Sequence, residues 1–148
     1  MRLLVQKVSR AEVYIERKLY SSIGNGMLVL IGISASDTSA SIPKLAKKLL
    51  ELRIFPDAAG KMNLSVQDVQ GSLLIVSQFT LYADCRKGRR PDFTKAASPK
   101  TAELLYENFI AEVKKSGLEV QTGIFGAMMQ ISLENEGPVT LMLDSDEL

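Results

Sequence analysis

The chain has 148 residues, 46% apolar and 24% charged, with 18 basic against 17 acidic side chains and a formal charge of +1. That composition describes one folded domain able to bury its own core, and it excludes a disordered or fibrous chain. Histidine is absent and Cys85 is the single cysteine, which rules out Ser-His-Asp and Cys-His catalysis, an internal disulfide and a multi-cysteine zinc site.

No apolar run approaches the ~18 residues that a membrane helix needs, and the start Met1-Arg2-Leu3-Leu4-Val5-Gln6-Lys7 lacks the form of a signal peptide. A cytoplasmic location without a membrane partner is expected. Through Ile15, apolar residues recur at near-alternate positions (Val5, Val8, Val13, Ile15), which predicts one or two strands, and Glu16-Arg17-Lys18 follows as a turn. Ile23-Gly24-Asn25-Gly26 sets an Asn-Gly pair between apolar flanks, the pattern of a tight hairpin whose central residues take positive φ. Residues 27–33 are apolar on both faces and predict a buried strand.

Pro43 opens a helix in which Leu45, Leu49 and Leu52 share a face opposite Lys44, Lys47, Lys48 and Glu51. Residues 56–63 read as a connection. The buried strand Leu73-Leu74-Ile75-Val76 then runs straight into Ser77-Gln78-Phe79-Thr80. Ser98-Pro99 has the form of a cap and first turn, and the helix behind it buries Ala102, Tyr106, Phe109, Ile110 and Val113 before Gly117 stops it. Met129, Ile131 and Leu133 alternate with Gln130, Ser132 and Glu134, a turn is expected at Asn135-Glu136-Gly137-Pro138, and residues 139–143 form the last strand. The order β-β-β, α, β, α, β-β, without regular βαβ alternation, predicts a mixed α/β single domain over residues 1–148 with a largely antiparallel sheet.

Three segments carry groups suited to chemistry. Ser77-Gln78-Phe79-Thr80 puts two hydroxyls and an amide at a strand end, where the Gln78 amide and the N–H groups beside Phe79 can donate to a developing oxyanion. The same residues suit a strand end with no site at all. Residues 135–140 read as an ordinary turn, although Gly137-Pro138 offers two carbonyls and no amide hydrogen at the proline, a grip for an ammonium group. Arg86, Lys87, Arg89 and Arg90 concentrate positive charge in one loop, which is either a solvated surface or a phosphate contact. Cys85 has no histidine to activate it and reads as structural.

Together these segments resemble the D-aminoacyl-tRNA deacylase family, also called the D-tyrosyl-tRNA deacylases, over essentially the whole chain. Residues 1–11 are similar to the family's amino end, Ser77-Gln78-Phe79-Thr80 to its SQxT motif and residues 135–140 to its NxGPVT motif. Lys87-Gly88-Arg89-Arg90-Pro91-Asp92-Phe93 and Gly123-Ile124-Phe125-Gly126-Ala127-Met128-Met129 also look like family sequence.

The resemblance implies a barrel-like sheet in a homodimer; no cofactor is expected, and the sequence offers no set of metal ligands. Ser77, Gln78, Phe79 and Thr80 would be catalytic, with Thr80 either a positioning group or a nucleophile. Gly137, Pro138, Val139 and Thr140 would bind substrate across the subunit boundary, with Gly137–Pro138 in cis and its carbonyls receiving the α-ammonium. The implied reaction is hydrolysis of D-aminoacyl-tRNA, and of glycyl-tRNA, with the terminal 2′-hydroxyl assisting water. Arg86, Lys87, Arg89 and Arg90 are the candidates for contact with tRNA, the expected nucleic acid in place of DNA. The competing readings are a non-catalytic RNA-binding module, a sister editing enzyme with relaxed chirality and a small-molecule esterase.

Overall fold

The computed structural model describes residues 1–148. Along the chain run β1 (Arg2–Ile15), β2 (Lys18–Ile23), β3 (Gly26–Gly32), α1 (Ile42–Leu50), β4 (Phe55–Pro56), β5 (Met62–Leu64), β6 (Ser72–Ser77), α2 (Pro99–Lys114), β7 (Val120–Thr122) and β8 (Gln130–Asp144).

The chain reverses after β1 at Glu16 and Arg17, which both take positive φ, at 51° and 64°. It returns antiparallel to β1 as β2 and then β3. Ala11 pairs with Ile23 and Val8 with Gly26, so β2 and β3 keep one register and form a single return strand interrupted at Gly24 and Asn25. The hairpin expected at Asn25-Gly26 is therefore not there. Glycine is required at position 26 because β6 lies parallel to β3 with Ser72 opposite Gly26, and a Cβ there would stand 1.9 Å from the Ser72 carbonyl oxygen.

On the far edge of β6 lies β7, again parallel. The β2 segment comes back to β7, where the Ser21 hydroxyl donates to the Thr122 carbonyl at 2.7 Å. The result is a nearly closed, barrel-like sheet with three antiparallel ladders on β1 and two parallel ones around β6. One face of the sheet, with Leu3, Val5, Met27, Val29, Ile31, Leu73 and Ile75, packs under α1 and α2. The other encloses Val8, Ala11, Val13, Ile23, Leu28, Leu74 and Val76. Burial on both faces is why β3 and β6 are apolar at successive positions.

The helices follow their caps. In α1, Pro43 sits in the first turn and Ile42, Leu45, Ala46 and Leu49 are buried, while Leu52 lies beyond its end and packs on the core only in part. In α2 the Ser98 hydroxyl accepts from the Thr101 N–H, Pro99 occupies the first turn, and the Tyr106 hydroxyl donates to the Ile75 carbonyl at 2.8 Å. That bond pins α2 to the strand that leads into Ser77. Residues 56–63 are more than a connection, since β4 and β5 pair as a small hairpin.

The turn expected at residues 135–138 does not reverse the chain. β8 passes through it as one strand antiparallel to β1 on both sides. Val8 pairs with Asn135 and Gln6 with Thr140, so residues 136–139 of β8 oppose Lys7 alone and leave the ladder as an excursion. Each half of β8 pairs with a continuous β1, and that pairing overrides the local preference of Gly and Pro for a reversal. The Gly137–Pro138 bond is cis, as the resemblance implies, and Gly137 has φ 119°.

Candidate active site

β6 delivers Ser77 and Gln78 to the surface from a fully buried run, and the Gln78 N–H donates to the Ile31 carbonyl at 2.7 Å. A 3₁₀ turn, Phe79–Tyr82, starts at once. It packs tightly on the end of β3, where a Cβ at Gly32 would lie 2.9 Å from Leu81 Cβ and 3.1 Å from the Gln78 carbonyl oxygen. The first N–H groups of such a turn, at Phe79 and Thr80, have no partner inside it. The Gln78 side-chain amide donates to the Thr80 hydroxyl.

Beside this turn opens a cavity of about 650 Å³. Ser77 and Gln78 are its polar side chains at one end, and Val76, Phe79, Phe93, Phe125 and Met129 belong to its mostly apolar wall. Phe79, 56% exposed, meets Phe93 edge to face at 5.0 Å. None of the lining side chains is ionisable, so the cavity can orient a ligand and polarise it through N–H groups, but its own side chains cannot exchange a proton near neutral pH. Thr80 is not part of the lining, and its hydroxyl accepts from the Gln78 amide.

Gly137, Pro138, Val139 and Thr140 do not line this cavity. Within one chain the two motifs remain apart. Gly137 and Pro138 are exposed at the tip of the excursion, whereas the Thr140 hydroxyl is engaged by Gln6 and Asn135 of its own chain. Lys7, nearly buried, pairs with Glu136 at 2.9 Å beneath the tip.

The basic loop is closed at its neck, where Asp84 and Asp92 exchange backbone hydrogen bonds of 2.7 and 2.9 Å. Arg86 folds back onto Asp84; its guanidinium holds the Asp84 carboxyl well below the usual carboxylate range and is itself raised in return. Lys87, Arg89 and Arg90 are exposed and make no ion pair. Of the four candidates, these three carry the uncompensated charge. Cys85 is exposed and free. No group of three or more His, Cys, Asp or Glu side chains is placed to hold a metal ion, and no helix is long and apolar enough to cross a membrane.

Sequence reasoning assigns no role to Phe93, Phe125 or Met129, although all three lie in segments that resemble family sequence. Their convergence on one cavity depends on β6, the basic loop and residues 123–129 meeting in space, and no local pattern records that.

A family model described as D-Tyr-tRNA(Tyr) deacylase matches residues 4–144. The chain is 53% identical over 148 residues to the D-aminoacyl-tRNA deacylase of Thermosipho africanus, covering 100% of this chain and 99% of that one. It is 50% identical over 148 residues to that of Aquifex aeolicus, covering all of both. Among solved structures, one described as c-Myc DNA Unwinding Element Binding Protein superposes with a TM-score of 0.92 at 41% identity, over 97% of this chain and 98% of that one. A probable eukaryotic D-amino acid tRNA deacylase, 20% identical, shares the fold with a TM-score of 0.85 over 96% and 97% of the two chains.

Proposed function

The chain belongs to the D-Tyr-tRNA(Tyr) deacylase family and hydrolyses the ester bond of D-aminoacyl-tRNA, and we propose that it selects the mirror image by shape, in a site shared between two copies. The observation that carries this reading is a cavity with hydrogen-bond donors at one end and no ionisable side chain anywhere on its wall. An aminoacyl ester suits such a site because it is already activated and needs orientation and charge stabilisation more than a strong base.

In this reading the terminal adenosine and its ester enter the cavity of about 650 Å³. Developing negative charge on the ester oxygen is met by the N–H group at Phe79 and by Gln78. The vicinal 2′-hydroxyl assists the attacking water, the acyl–oxygen bond breaks, and the products are a free D-amino acid and tRNA with a free 3′-hydroxyl. Ser77 and Thr80 hold the turn and the amide in place, with Thr80 a positioning group whose hydroxyl accepts from the Gln78 amide.

Chirality is judged by the Gly137–Pro138 tip of the partner. Its carbonyls receive the α-ammonium, an L side chain would strike the main chain, a D side chain points away, and glycine has nothing to clash. Two features support a second copy. The tip stays away from the cavity of its own chain, and β8 pairs only with β1, leaving a 15-residue edge with Leu141 and Met142 exposed. Lys87, Arg89 and Arg90 contact the RNA backbone, and a cytoplasmic location fits a tRNA substrate.

The test is deacylation of D-tyrosyl-, L-tyrosyl- and glycyl-tRNA, together with sedimentation of the free protein. Preference for the D-ester and for glycine by a dimer is expected, with turnover collapsing when the terminal adenosine is 2′-deoxy. A monomer that is fully active, or equal rates on both enantiomers, would overturn the shared-site reading.

A further inference from the structure

The excursion of β8 needs something to hold it. Residues 136–139 lack partners in the ladder with β1, and four residues stand against one. An extended segment rises about 3.4 Å per residue, so these four must arch away from the sheet over a neck that Lys7 alone spans. At such a neck, carbonyls that a regular ladder would satisfy lose their N–H partners.

A single side chain takes over that role. The Asn135 amide nitrogen donates to the Lys7 carbonyl at 2.9 Å and to the Val139 carbonyl at 2.9 Å, joining β1 to the returning limb of the arch. Its amide oxygen accepts from the Thr140 hydroxyl at 3.4 Å, and that hydroxyl accepts from the Gln6 amide at 3.3 Å. One carboxamide thus ties both limbs of the arch to the strand beneath them, while Glu136, Gly137 and Pro138 above it are exposed. Only a group with two donors and an acceptor on one short stem can do this, which Asn supplies and Asp or Ala does not.

We propose that Asn135 is a specificity-determining positioning residue: its carboxamide clamp across the neck of the 136–139 arch sets where the Gly137–Pro138 tip stands in the partner's cavity, and so sets the discrimination between D- and L-aminoacyl esters. This rests on the reading of that tip as the chiral gate. Selection by shape tolerates little play, because displacement of about 1 Å in a positioning group can change rates by ~10²-fold. A tip released from its clamp therefore retains its chemistry and loses its placement. The L-ester gains more from that than the D-ester loses.

The experiment measures kcat/KM on D- and L-tyrosyl-tRNA for the dimeric wild type, Asn135→Ala and Asn135→Asp, with thermal unfolding and dimer mass as controls. Asn135→Asp preserves size while removing both donors, so it keeps the test open if the alanine variant folds poorly. A fall of about tenfold or more in the D-to-L ratio, led by faster L-hydrolysis with dimer and melting temperature retained, is the expected result; a general loss of fold would lower both rates together. A ratio within twofold of wild type in either folded variant overturns the assignment. Gly137→Ala separates the two ideas, since its Cβ would meet Val139 Cγ2 at 2.8 Å and displace the tip directly. If Gly137→Ala changes the ratio and the Asn135 variants do not, the clamp fails and the gate stands; if none changes it, the gate itself is wrong.

Discussion

Two glycines flank Asn25, and the structure predicts opposite outcomes for the same substitution in each. In Gly26→Ala the new Cβ would sit 1.9 Å from the Ser72 carbonyl oxygen and 2.8 Å from the Ser72 carbonyl carbon and nitrogen, all backbone atoms of a paired strand. Cβ atoms essentially never approach other heavy atoms closer than 3.0 Å, so β3 and β6 must part by more than an ångström where strands normally stand about 4.8 Å apart. The Ser72 N–H to Asn25 carbonyl bond of 3.1 Å and the Gly26–Ser72 rung are broken, and the fully buried Met27 and Leu73 behind them are disturbed. Two hydrogen bonds and a strained core together cost about 3–5 kcal/mol, or roughly 6–20 °C of melting temperature for a chain of this size. Gly24→Ala meets nothing within 4 Å and has no positive φ, so it is neutral or stabilises by about 0.4–1 kcal/mol through the unfolded chain. Urea and thermal unfolding followed by circular dichroism compare the two. A Gly26→Ala protein within about 1 kcal/mol of wild type, or a Gly24→Ala protein damaged more than it, would show that the close approach of β3 and β6 does not require glycine.

Tyr106→Phe removes the hydroxyl that donates to the Ile75 carbonyl and is expected to destabilise by about 1–2 kcal/mol, leaving the D-to-L ratio unchanged; urea midpoints and a deacylation assay read the two effects separately. Neutralising Lys87, Arg89 and Arg90 should flatten the dependence of tRNA affinity on salt by about 0.7–0.9 in log–log slope for each phosphate deprived of its cation, whereas Arg86→Gln, already paired to Asp84, should change it least; equal slopes for all four would reject the assignment. With no histidine in the chain, that side chain contributes no change of stability between pH 5 and 8. Burial pushes the Tyr82 hydroxyl up to about 12 and raises Tyr106 as well, so the folded state holds these protons more tightly than the unfolded chain. Their contribution is complete below pH 10 and is lost as pH climbs toward 12, and urea midpoints across that range would show no decline if the tyrosines were in fact exposed.

Much of this protein is determined within short stretches of chain. The absence of histidine limits the chemistry wherever the fold places it. Ser98-Pro99 and Pro43 start their helices through backbone groups within a turn, and the doubly apolar runs of β3 and β6 mark strands covered on both faces, whichever elements cover them. The two motifs, SQFT and NEGPVT, are visible as residue strings, and the first lies where a buried strand ends, as its sequence requires. Pairing and close approach are decided elsewhere. Asn25-Gly26 has the composition of a hairpin, yet Gly26 answers to Ser72, 46 residues further on. Asn135-Glu136-Gly137-Pro138 has the composition of a reversal, yet it arches off a straight strand because residues 2–14 of β1 pair with what comes before and after it. β7, three residues long, exists only because β6 offers an edge. The wall that joins Phe93, Phe125 and Met129 arises in the same way. Local propensity chooses among conformations that differ by about 1 kcal/mol per residue, and a ladder of hydrogen bonds with buried side chains on both faces outweighs it.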